Sequence, residues 1–145
     1  MLPDELTDPG RDIPPREHDV RAEEDLLTAR HAVRSSAVAA GFSIVDQTKI
    51  VTAASELVRN AYIHGGGGTM TIIVLRDDRG RIGLRLRVRD NGPGIADVEQ
   101  AMTDGFSTGA GLGHGLGGTR RLVDEFTIDT APGRGTTITI ARWKP

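Results

Sequence analysis

Apolar residues first recur at spacings of three and four. Leu26, Ala29, Val33, Ala37 and Ala40 share one face, which predicts a helix from about Glu23, with Gly41 suited to its C-terminal cap. A second stripe of Ile50, Ala53, Ala54, Leu57, Val58 and Ala61 predicts another helix, with Asp46 as N-cap and His64 and glycines 65–68 at its end. The period then changes to two. Thr69 to Arg76 is β-branched and apolar, the stretch Asp77-Asp78-Arg79-Gly80 is turn chemistry, and Ile82, Leu84, Leu86 and Val88 alternate with Arg81, Arg85, Arg87 and Arg89. A short helical piece (Val98, Ala101, Met102) and a third main helix (Leu116, Thr119, Leu122, Val123) follow. Two last strands, Phe126 to Thr130 and Thr136 to Trp143, flank a Pro-Gly turn. Strands that are adjacent in pairs predict a two-layer α/β (α+β) sandwich: a mixed, mostly antiparallel sheet with helices on one face.

Residues 1–22 read as a disordered tail, because Pro3, Pro9, Pro14 and Pro15 stand among charges; residues 23–145 read as one domain. Aromatics are few (one Trp, one Tyr, three Phe), so Val, Ile, Leu and Ala must build the core. The absence of Cys excludes disulfides and thiolate metal sites. A net charge of −2 argues against nucleic acid as a partner. Without a membrane-length apolar run or a basic-then-apolar leader, the expectation is a cytoplasmic protein that uses no membrane.

Three short stretches carry candidate chemistry. Glu56 and Asn60 are one helical turn apart and share a face. The carboxylate could take a proton from an attacking hydroxyl, and the amide oxygen suits Mg²⁺. An exposed Glu and Asn on a helix by chance is the simpler reading of that pair alone. Asp90 ends a strand and precedes Gly92 and Gly94, where backbone can approach a ligand closely; Asp-Asn-Gly is equally an ordinary turn. Gly111-Leu112-Gly113-His114-Gly115-Leu116-Gly117-Gly118 runs into a helix and offers backbone N–H groups to anionic phosphate. It is neither a Walker A loop nor a dinucleotide fingerprint. A linker would not place Leu112 and Leu116 in phase with the helix that follows. His64 reads as a helix-end residue. The arginine face of the second strand could meet an acidic partner, but a solvated surface is the simpler reading.

In this order and spacing the three stretches resemble the ATP-binding (Bergerat) fold shared by gyrase B, the Hsp90 chaperones, histidine kinases and MutL. Further stretches narrow the likeness: Gly41 to Gln47, Ala54 to Leu57, Thr103 to Thr108 and Arg121 to Phe126. With these, residues from about Glu23 to Trp143 resemble the RsbT-type serine/threonine protein kinases of bacterial stress signalling, among the anti-sigma-factor kinases. The resemblance implies that Glu56 is the general base, that Asn60 binds Mg²⁺, and that Asp90 holds the adenine amino group. It implies that Gly92 and Gly94 shape the pocket wall, and that Thr136 supports adenine recognition. Residues 97–113 would be an ATP lid, and Gly111, Gly113, Gly115 and Gly117 would wrap the phosphates. The implied activity is phosphorylation of a STAS-domain antagonist followed by activation of a PP2C-type phosphatase. The alternative is an anti-sigma factor that sequesters a sigma factor directly. A detached histidine-kinase domain lacks its dimerisation helices here, and a degenerate pocket sits poorly with the retained Glu56.

Overall fold

The computed structural model describes residues 14–102 and 115–145. Nine elements follow in order: β1 (Arg16–Val20), α1 (Glu23–Ala39), α2 (Ile44–Gly65), β2 (Gly68–Arg76), β3 (Ile82–Asp90), α3 (Val98–Ala101), α4 (Gly115–Arg121), β4 (Glu125–Thr130) and β5 (Thr136–Trp143). The strands form one sheet in the order β1-β2-β3-β5-β4, and every pairing is antiparallel. The expected two-layer sandwich is present, and the sheet is uniformly antiparallel rather than mixed.

The expectation of a tail fails at β1. Residues 16–20 pair with β2 from Arg16↔Ile72 to Val20↔Gly68. Backbone hydrogen bonds hold this edge strand, and only Val20 is buried, so an apolar period has no cause to show. The rest of the expected tail, residues 1–13, lies outside the described residues.

The inner face of the sheet meets α1 and α2. Met70, Ile72, Leu84, Leu86, Val88, Ile138 and Ile140 pack there with Ala29, Val33, Ile50, Leu57 and Val58. The helices end for local reasons. Gly41 takes φ 87° after α1, its N–H donates to the Val38 carbonyl, and the Phe42 N–H donates to that of Ala37. Gly66, at φ 74°, closes α2. The start of α2 differs from expectation. Ser43 is its N-cap, accepting the Asp46 N–H at 3.1 Å, so the Asp46 carboxylate is left to take Arg142 at 2.7 Å. In the β2–β3 turn the Asp77 carboxylate accepts the N–H groups of Arg79 and Arg81 at 2.9 and 2.8 Å.

Candidate active site

Asp90, the last residue of β3, is the centre of the site. It is buried, 7 % exposed. Its Oδ1 accepts the Gly92 N–H at 2.8 Å, and its other carboxylate oxygen makes no hydrogen bond among the described residues. Glycine surrounds it. A Cβ on Gly65, at the end of α2, would collide with the Asp90 carboxyl; one on Gly92 would collide with Gly65; one on Gly135 would collide with the Asp90 carbonyl. Three chain segments therefore come together at backbone distance around Asp90, with Gly65 and Gly92 against its carboxylate, which keeps an unused acceptor among the described residues. That is a cradle for a flat group carrying an N–H donor.

Thr136, 5 % exposed, is the cross-strand partner of Asp90. Its hydroxyl lies 2.9 Å from that of Thr130, which donates to the Gly135 carbonyl and accepts the Ile95 N–H at 2.9 Å. The chain of hydroxyls ties the segment after β3 to the β4–β5 end of the sheet. Gly94, at φ 80°, fits against the Ala131 carbonyl, and the Gly133 N–H donates to the Pro93 carbonyl at 2.7 Å. The glycine turn predicted from Asp90-Asn91-Gly92-Pro93-Gly94 is thereby strapped to the turn before Thr136.

Glu56 and Asn60 are both half-buried on α2, one turn apart. Glu56 also lines a cleft of about 590 Å³ between α1 and α2, with Arg30, Arg34, Arg59 and Tyr62. Asn60 does not line this cleft. Gly115 and Gly117 lie in α4, where Leu116 is buried and the Thr119 hydroxyl donates to the Gly115 carbonyl at 3.1 Å. Helix α4 packs on α2 and α3. Gly111, Gly113 and most of the expected lid lie outside the described residues.

Behind the site, Arg142 bonds both the Asp46 carboxylate (2.7 Å) and the Leu122 carbonyl just beyond α4 (2.9 Å). The hydrogen bond from Arg142 is the main reason that the Asp46 carboxyl lies below the usual carboxylate range. Among the described residues no cluster of His, Asp and Glu forms a ready metal site. No described helix is long and apolar enough to cross a membrane.

A cradled carboxylate at a strand end, a glycine turn beside it and a glycine-led helix packed on a Glu/Asn helix define an ATP-binding domain. Residues 45–145 match the model of the histidine kinase-, DNA gyrase B- and HSP90-like ATPases. The chain is 45% identical over 124 residues to the serine/threonine-protein kinase RsbT of Bacillus subtilis, covering 86% of this chain and 92% of that one. It is 32% identical over 120 residues to an anti-sigma F factor of a Thermoanaerobacter species, covering 79% and 82% of the two chains. A crystal structure of the RsbU and RsbW domains of a Mycobacterium tuberculosis protein superimposes with a TM-score of 0.64 at 25% identity, covering 92% of this chain and 33% of that one. The chain belongs to this ATPase family, in its RsbT-type serine/threonine protein kinase branch.

The structure brings four residues singled out in the sequence, Asp90, Gly92, Gly94 and Thr136, to one end of the sheet. Not apparent from the sequence are Gly65 against the Asp90 carboxyl, Gly135 against the Asp90 backbone, and Thr130 ordering the turn. Gly65 reads as helix punctuation, and only the fold brings it to Asp90.

Proposed function

We propose that the chain is an ATP-dependent protein serine/threonine kinase that phosphorylates a STAS-domain antagonist and activates a PP2C-type phosphatase. One observation carries the nucleotide half of this reading: the Asp90 carboxylate, set against Gly65 and Gly92 opposite Thr136, with an acceptor unused among the described residues. Asp90 accepts a hydrogen bond from the adenine amino group, and Thr136 completes that edge of the pocket. Gly92 and Gly94 let the backbone approach the base. Gly111, Gly113, Gly115 and Gly117 offer N–H groups to the phosphates. Asn60 would hold Mg²⁺ through its amide oxygen, and the ion would neutralise phosphate charge when bound. Glu56, on the cleft side of α2, takes the proton from the serine or threonine hydroxyl of the protein substrate as the γ-phosphoryl group leaves ADP. The partner-facing half of the reading is supported by the relative named as RsbT. The setting we propose is cytoplasmic.

The relatives named anti-sigma F factor favour a second reading, in which the chain sequesters a sigma factor and ATP is regulatory. Two assays separate them: calorimetric titration of ATP·Mg²⁺, and transfer of labelled phosphate to a STAS-domain protein. ATP binding with transfer supports the kinase. ATP binding with tight sigma-factor capture and no transfer supports sequestration. No ATP binding overturns both.

A further inference from the structure

The sheet face away from the helices carries a column of three arginines. Arg85, Arg87 and Arg89 alternate with the buried Leu86 and Val88 on β3, so all three side chains leave the same face. They stand on the central strand, with β2 and β5 on either side. Successive members are about 7 Å apart along the strand. None of the three side chains makes a hydrogen bond or ion pair among the described residues. The other cations near this face are engaged: Arg81 lies over the Trp143 ring at 5.2 Å and pairs with Asp77, and Arg21 pairs with Asp19.

Among the described residues, none of the protein's own acids pairs with the column. Thr71 and Thr139 flank Arg87, and Thr69 and Thr137 flank Arg89. The acidic residues in those rows, Glu17, Asp19 and Asp129, lie on the edge strands β1 and β4. They are two strand spacings from the arginines, roughly 10 Å between backbones, and among the described residues none pairs with them. Around Arg87 and Arg89 the face is thus a basic stripe one strand wide between hydroxyl rows and acidic margins, while Arg85 lies between Ile73 and Ala141.

We propose that this stripe is a docking surface for an acidic segment of a partner protein, one that presents carboxylates at alternating positions of an extended chain. Such a segment places its carboxylates at the same spacing of about 7 Å and relieves the repulsion within the column. The flanking threonines offer hydroxyls to its backbone. The acidic margins hold it in register on β3 and repel a polyanion that spreads across the sheet. The surface lies on the side of the sheet opposite Asp90, so it serves recognition rather than phosphoryl transfer, and it stands whether or not the kinase reading does.

The test uses the full chain and a fluorescent peptide alternating Glu and Val. A peptide of equal composition with its Glu residues in one block and an oligo-dT strand serve as comparisons. The alternating peptide should bind, shift the side-chain Nε–Hε signals of Arg85, Arg87 and Arg89, and weaken with salt. Arg87→Gln should raise its Kd about 2–5-fold, as expected for one exposed ion pair. Arg76→Gln, which removes the same charge elsewhere, should leave it unchanged, and neither variant should alter ATP affinity. The proposal is overturned if the three signals do not move, if the block peptide binds equally, or if Arg76→Gln matches Arg87→Gln. It is also overturned if oligo-dT binds more tightly, or if sedimentation shows a dimer that Arg87→Gln dissociates.

Discussion

Asp90 and Thr136 stand opposite each other across the β3–β5 ladder, both buried, where glycines from three segments close in. Thr130 uses its one proton on the Gly135 carbonyl, so Thr136 is the donor in the hydroxyl pair and keeps its lone pairs as acceptors. The edge therefore presents acceptors, and its complement is a donor such as an exocyclic amino group.

Asp90→Asn tests that polarity. The substitution keeps the shape and replaces one carboxylate oxygen by an N–H donor. ATP affinity should fall by about one to two orders of magnitude, roughly 1.5–3 kcal/mol for a hydrogen bond to a charged group. Calorimetry reads it directly. Unchanged affinity removes Asp90 from base recognition.

Gly65→Ala has an opposite sign from the usual expectation. Within a helix, Gly→Ala stabilises by up to about 1 kcal/mol. Here the added Cβ meets the Asp90 carboxyl. Overpacking should instead cost about 1–3 kcal/mol, lowering Tm by roughly 2–4 °C per kcal/mol, and ATP affinity should fall with it. A thermal melt that moves upward shows that the contact relaxes freely.

Most of this architecture was legible because its determinants are local. The stripes of α1 and α2 and the alternation of β3 reflect burial on one face, and burial writes a period into the chain. The glycine turn after Asp90 was legible because only a few residue types suit it. Strand β1 was not, since an edge strand held by backbone pairing needs no apolar period. The start of α2 was misplaced by three residues because Ser43 and Asp46 are both good caps, and what decides between them is Arg142, 96 positions away. Gly65 and Thr130 were missed for the same reason: their roles come from contacts that sequence spacing does not record.

The Asp46–Arg142 pair should make the fold acid-sensitive. Arg142 depresses the Asp46 carboxyl in the folded state, so the pair stabilises above the unfolded pKa, about 4, and that stability is lost as pH falls through the folded value. Asp46→Asn leaves Arg142 nearly buried with one partner fewer and should cost about 3 kcal/mol at neutral pH. The gap between wild type and variant in urea denaturation should then close as pH drops below about 4. A gap that stays constant with pH shows that the pair holds by packing rather than charge.

Glu56 and Asn60 share a helix face, yet their losses should separate kinetically. Glu56 borders the cleft between α1 and α2 and is proposed to act on the incoming hydroxyl, so it matters mainly in the transition state. Glu56→Ala should keep ATP affinity and reduce phosphoryl transfer about 10²–10⁴-fold, the usual share of a general base. Asn60→Ala should weaken Mg·ATP binding and turnover together, because its oxygen is proposed to hold the metal in both ground and transition states. Transfer of labelled phosphate to a STAS-domain protein, alongside calorimetry, resolves the two. Full transfer by Glu56→Ala would leave a kinase that works by positioning alone. A loss of ATP affinity in that variant would move Glu56 from catalysis to nucleotide binding.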